Sequence, residues 1–143
     1  MTPQENRSII KNFFDQVLNG SAPFYLDGFI SSHYVQHPSE PGQEEGREAV
    51  RARLTKLHDA FTDLHFFLDE MIAEGDRVLA RWHLEGRHTG DFLGVPATDR
   101  KVHCTGMDEY RVKDRKITEH WHELDLFGLF QQLSSPEQTL KAG

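Results

Sequence analysis

The residues in this sequence best able to move a proton or hold an ion are its nine histidines, several of which fall in segments that read as strands. Alternate residues of a strand share a face, so His120 and His122 point the same way and, with His103 as a possible third ligand, could hold one metal ion. Neighbouring histidines on a strand are also ordinary polar residues of a wet face. No HExxH-like or carboxylate-rich signature accompanies these, so no metal is expected.

Asp125 is the second candidate. It stands immediately before the apolar run Leu126 to Leu133, where an Asp is a favoured helix N-cap that accepts a bond from the backbone of the first turn. At the mouth of an apolar pocket the same carboxylate would lose hydration and could take a proton from a carbon acid and return it. By alternation Trp121 shares a face with Asp125 and His122 does not, unless a bulge intervenes, so Trp121 is read as pocket wall and His122 is discounted. His88 lies in Gly86-Arg87-His88-Thr89-Gly90, whose glycines suggest a bend that aims a side chain at a pocket rim. Tyr34 and His37 share a short strand at the mouth, because Pro38 forces His37 out of the helical region. Asp125, His88 and His37 are the catalytic candidates; Tyr34, Trp82, His103, Met107 and Trp121 are the substrate-binding candidates. Arg81 is read as structural, and the single cysteine, Cys104, as a small core side chain.

The elements that must position these groups are legible in turn. Thr2, Pro3 and Glu5 form a capping-box start, followed by Ile9, Ile10, Phe13, Phe14, Val17 and Leu18 at helical spacing and by the stop Asn19-Gly20. A second helix is expected around Phe24 to Ile30, and a third over Arg47 to Phe61, with Val50, Leu54, Leu57 and Phe61 on one face. Between them Pro38 to Gly46 reads as an acidic loop. Strands follow at Leu64 to Ala73, Arg77 to His88, Lys101 to Val112 and Ile117 to Leu124, joined by the polar turns Glu74-Gly75-Asp76 and Lys113-Asp114-Arg115-Lys116. Leu126 to Leu133 reads as a closing helix. Helices followed by meandering strands indicate an α+β fold, a curved antiparallel sheet wrapped over the helices and enclosing a pocket.

A chain of 143 residues is sized for one domain. A net charge of −7 with scattered Lys and Arg disfavours a nucleic-acid surface. No stretch reads as a signal peptide or membrane span, so a soluble, cytoplasmic protein is expected.

Three segments together resemble a known family: Gly86-Arg87-His88-Thr89-Gly90-Asp91-Phe92-Leu93-Gly94-Val95-Pro96-Ala97-Thr98; Asp108-Glu109-Tyr110-Arg111-Val112; and Ile117-Thr118-Glu119-His120-Trp121-His122-Glu123-Leu124-Asp125 with Leu129-Phe130-Gln131-Gln132-Leu133. The chain is similar to the SnoaL-like polyketide cyclases over nearly its whole length. The resemblance implies a cone-shaped fold of the nuclear-transport-factor-like superfamily and an intramolecular aldol closure without metal or cofactor. It also implies an Asp acid/base at the position Asp125 matches; beside it, His37, His88, His103 or His122 could donate to the enolate or hold that carboxylate, since imidazole titrates near neutrality. The expected partner is a small apolar metabolite, and the expected assembly a homodimer or homotetramer formed through the outer face of the sheet. Because one fold hosts many chemistries, a non-catalytic pocket protein and an isomerase remain open. An epoxide hydrolase built on Asp108, Arg111 and Asp125 is disfavoured, since Asp108 and Arg111 fall on opposite faces of their strand.

Overall fold

A computed structural model describes residues 2–20, 22–37 and 46–134, so the acidic loop expected from Pro38 to Gly46 lies outside the described residues except for its last position. Helix α1 (Pro3–Phe13) begins with the expected capping box: the Thr2 hydroxyl accepts from the Glu5 N–H at 3.1 Å, and Glu5 Oε1 accepts from the Thr2 N–H at 3.4 Å. The helix continues as a π-turn over Phe14–Leu18, which keeps Ile10, Phe13, Phe14 and Val17 buried along one stripe. Asn19 ends it and docks the helix on the sheet, its side chain donating to the Phe66 carbonyl at 2.8 Å and accepting from the Phe66 N–H at 2.6 Å.

Helix α2 (Ala22–Phe29) leads into strand β1 (Ile30–His37), and α3 (Gly46–Ala60) into β2 (Phe61–Glu74). Strands β3 (Arg77–His88), β4 (Lys101–Lys113) and β5 (Lys116–Leu124) follow, then helix α4 (Leu126–Ser134). The sheet has the order β1-β5-β4-β3-β2, with β1 parallel to β5 and the remaining pairs antiparallel. The fold is α+β, as the order of elements suggests.

The tight β4–β5 turn places both Asp114 and Arg115 at positive φ, 49° and 66°, the backbone a two-residue hairpin needs to match strand twist. Bulges interrupt β2 between Thr62 and His65 and between Leu68 and Glu70, and they shift register between β4 and β5 at Arg111/Val112. Each adds a local bend, and each inverts the alternation beyond it. The sheet's inner face carries Val78, Ala80, Trp82 and Leu84 from β3 and Val102, Cys104, Tyr110 and Val112 from β4, packed against the helical core.

Candidate active site

Between the inner face of the sheet and α3 lies a cavity of about 440 Å³, with Val50 and Leu54 on the helix side and Phe66, Trp82 and Leu84 on the sheet side. Its polar groups converge at one place. Strand β4 turns its even-numbered side chains inward, which puts Asp108 in the cavity wall two residues from Tyr110. Strand β5 pairs Val112 with Ile117 but Arg111 with Glu119, so Thr118 is the extra residue of the bulge. Ile117 is therefore inward before the bulge, and His120 and His122 are inward after it.

The Asp108 carboxylate is the hub. Oδ2 accepts from the Tyr110 hydroxyl at 3.0 Å and lies 3.1 Å from His120 Nε2, while Oδ1 lies 3.1 Å from His122 Nδ1. The His122 contact meets hydrogen-bond geometry; the His120 contact is close but poorly aligned. The far nitrogen of His120, Nδ1, lies 3.0 Å from the Tyr34 hydroxyl, and Tyr110 stacks flat on the His120 ring at 4.5 Å. From α3, Arg53 reaches into the same cavity and donates to Gln36 Oε1 at 2.7 Å.

Burial dictates the charge states. Desolvation by itself would raise the Asp108 carboxyl, but the attraction and hydrogen bonds of His120 and His122 outweigh it and hold Asp108 well below the usual carboxylate range. His120 is lowered, chiefly by its own burial and against the pull of Asp108. Burial pushes the Tyr34 phenol up to about 12, opposed by Arg53, so it remains a hydroxyl donor at neutral pH. Burial, with the Asp108 charge added, raises Tyr110 as well. An ionised carboxylate accepts only, so its imidazole partners present N–H to it. In the neutral ring this puts the His122 proton on Nδ1 and makes Nε2 the acceptor, the arrangement of an oriented general base on a residue that lines the cavity.

The sequence-derived candidates divide sharply around this hub. Tyr34 and Trp82 line the cavity, and Gly106 makes room for the indole: a Cβ there would meet the Trp82 ring at 2.2 Å. Asp125 does not enter the cavity. It is exposed, and its Oδ1 accepts from the Gly128 N–H at 2.9 Å as the N-cap of α4. The cap is tight enough that a Cβ on Gly128 would lie 2.2 Å from Asp125 Oδ2. The capping role weighed from sequence is thus the one the carboxylate fills, because β5 ends one residue before it and α4 starts one residue after. His88 is fully buried away from the cavity, its Nδ1 accepting from the Thr98 N–H at 3.2 Å, with Phe61 beside its ring. His37 stacks on Trp121 at 5.0 Å and pairs with Glu119 at 3.0 Å outside the cavity.

Three more assignments are corrected by the same alternation. Trp121, His103 and Met107 face outward: Arg77 covers the Trp121 ring at 5.1 Å, His103 stacks on His83 at 4.8 Å, and Met107 is 59% exposed. His103 consequently cannot join His120 and His122 as a ligand, and His122 is inside where Trp121 was expected. Asp108, His120, Tyr110 and Arg53 were not assigned to the acid/base site. The sequence signal for Asp108 was present in the inward row Val102, Cys104, Gly106, Asp108, Tyr110. Cys104 is a buried core thiol, as read, pushed up to about 11 by desolvation and the neighbouring Asp125. Arg81 pairs loosely with Glu70 at 3.8 Å on the outer face.

A curved sheet packed on helices around an apolar cavity, with an ionised carboxylate and two imidazoles in its wall, defines a cone-shaped α+β pocket protein of the nuclear-transport-factor-like type. Residues 8–133 match the family model of the SnoaL-like polyketide cyclases, and the chain belongs to that family. It is 31% identical, over 97% of its length and 86% of the relative's, to aklanonic acid methyl ester cyclase DauD of Streptomyces sp. (strain C5). Nogalonic acid methyl ester cyclase of Streptomyces nogalater is 29% identical over 78% of this chain and 84% of the relative. Among solved structures, TsrD from Streptomyces laurentii superposes with a TM-score of 0.84 at 30% identity, covering 94% of this chain and 98% of that one. No helix among the described residues is long and apolar enough to cross a membrane.

Proposed function

We propose that this protein closes a ring in a small, largely apolar carbonyl compound by an intramolecular aldol reaction, with His122 as the proton-transfer residue and Asp108 as its positioning partner. The observation that carries the reading is the 3.1 Å contact of His122 Nδ1 with a buried, ionised Asp108, which aims the other ring nitrogen into the cavity. His122 Nε2 takes an acidified α-proton from the folded substrate, and the enolate carbon attacks the facing carbonyl. The resulting alkoxide then takes back a proton, so no net charge leaves the site.

The Tyr34 hydroxyl and the Arg53 guanidinium supply a donor and positive potential where that oxygen charge develops. The apolar walls hold the two reacting carbons together, and this proximity contributes several kcal/mol of the barrier reduction, with the positioned acid/base adding roughly 3–5 kcal/mol. Every step uses groups present in the chain, so the reading requires no cofactor.

The family membership and the methyl ester cyclases among the relatives support this chemistry, and they make aklanonic acid methyl ester and nogalonic acid methyl ester the first substrates to test. Incubation of each with the purified protein, followed by chromatography and mass spectrometry, should yield a cyclised isomer of unchanged mass. His122→Gln should reduce that rate about a hundredfold or more while leaving substrate affinity within a few-fold. Full turnover by His122→Gln would refute the assignment.

A further inference from the structure

The outer face of the sheet carries a second cluster of imidazoles and carboxylates, separate from the cavity. Opposite β4, strand β3 turns Arg81, His83 and Glu85 outward, and the register sets Glu85 directly across from His103. The ligating atoms of His83, Glu85 and His103 all lie within 4.8 Å of one another. From these residues we infer a binding site for a divalent cation of borderline softness, zinc being the best match, on the outer face of the sheet.

The chemistry of the donors selects the ion. Two imidazoles and one carboxylate are a set that zinc takes with a fourth position left for water, whereas calcium and magnesium ask for oxygen throughout. Tetrahedral ligand atoms sit roughly 3.4 Å apart at zinc's bond lengths, so the observed spacing closes onto an ion by small side-chain rotations. Exposure permits them, since Glu85 and His103 are both exposed.

A further observation points to a ligand. His83 Nδ1 contacts both oxygens of Asp69, at 2.8 and 3.0 Å, which leaves Nε2 as the nitrogen turned to Glu85 Oε2, 3.4 Å away. A carboxylate behind the non-ligating nitrogen is what orients metal-binding histidines: it fixes the tautomer and raises the basicity of the coordinating nitrogen. Asp69 is brought there by the β2 bulge between Leu68 and Glu70, a device that re-aims a side chain at a cost in regular pairing. Phe67 lies flat against the other face of His83 at 4.7 Å and holds the ring.

The cluster also has a metal-free explanation, in which Asp69 and Glu85 only hold the His83 ring in place, and the two make opposite predictions. The test uses the whole chain, stripped with a chelator and titrated with zinc by calorimetry at neutral pH, with cobalt(II) absorption as a spectroscopic readout. Wild type should bind one zinc per chain. His103→Ala should weaken binding at least about tenfold, and Asp69→Asn by roughly 10- to 100-fold, with unchanged far-UV circular dichroism. His122→Ala should bind zinc as wild type does. The inference is overturned if wild type takes up no zinc, if His103→Ala and Asp69→Asn bind it undiminished, or if only His122→Ala loses it. That last result would put the ion at Asp108, His120 and His122, whose ligand atoms are similarly close.

Discussion

Replacing Asp108 with Asn separates the role of the carboxylate's charge from that of its shape. In the wild type two hydrogen bonds and one close contact converge on it: the Tyr110 hydroxyl donates to Oδ2 at 3.0 Å, His122 Nδ1 meets Oδ1 at 3.1 Å, and His120 Nε2 lies 3.1 Å from Oδ2, close but poorly aligned. An Asn has one oxygen and one NH2 group. With the oxygen in the Oδ2 position it keeps two partners and offends one; reversed, it keeps one and offends two. The first orientation is favoured, and it sets the new NH2 against His122 Nδ1. To accept that bond His122 must move its proton to Nε2, so the nitrogen facing the substrate becomes a donor and is lost as a base. Stability should fall by only about 1.5–3 kcal/mol, one hydrogen bond to a charged group. Turnover should fall by roughly 10²–10⁴, or about 2.7–5.4 kcal/mol in barrier. The assay is the initial rate of cyclised product from the methyl ester substrates, measured beside urea unfolding, with occupancy of the cavity followed by ligand-induced protection. Asp108→Asn turning over within about threefold of wild type would refute the dyad.

The opposite behaviour is expected at Asp125. Asn caps a helix as well as Asp does, so Asp125→Asn should keep both stability and turnover, while Asp125→Ala should cost about 1 kcal/mol in urea unfolding and still cyclise substrate. Abolished turnover in folded Asp125→Asn would return the acid/base role to that residue. The burial of His120 fixes the sign of a pH effect. Its folded-state value is depressed, so the unfolded chain binds a proton that the folded chain resists below the unfolded value of about 6.5. The stability His120 contributes is present above that pH and lost as pH falls through the depressed value, with the low Asp108 adding a second loss in the same direction below about 3.9. Thermal midpoints should therefore drop between pH 7.5 and 5.5, and drop less in His120→Gln, whose amide can face Asp108 and Tyr34 without titrating; parallel slopes would contradict this. On the outer face, Ile72, Leu79 and Met107 are 62%, 48% and 59% exposed and line one shallow depression. We propose it as the self-association surface, so light scattering should show a smaller assembly for Leu79→Lys, and an unchanged mass would reject that face.

What the sequence disclosed and what it hid can be traced to one residue. The Arg77–His88 strand, the capping box at Thr2 and the closing helix after Asp125 rest on local signals, turn residues and periodicity, and these survive folding because each is satisfied within its own segment. The site depends on register between segments. From the turn at Asp114 and Arg115, regular pairing puts Asp108 across from Trp121, which makes Trp121 the inward neighbour and leaves His122 outside. The single extra residue at Thr118 moves the partner to His122. A bulge of this kind has no reliable local signature, since Thr is an ordinary strand residue, yet it inverts every later assignment on β5. It also decides the chemistry. Without it Asp108 would be a buried carboxylate facing no imidazole from β5, an arrangement that costs several kcal/mol and favours the protonated acid. With it, two imidazoles hold the carboxylate ionised and are themselves held in one tautomer. Deleting Thr118, the residue the pairing leaves over, should therefore remove the bulge while keeping Glu119 across from Arg111, His120 across from Tyr110 and His122 across from Asp108, so turnover should survive; loss of turnover in a folded deletion variant would refute this account of the register.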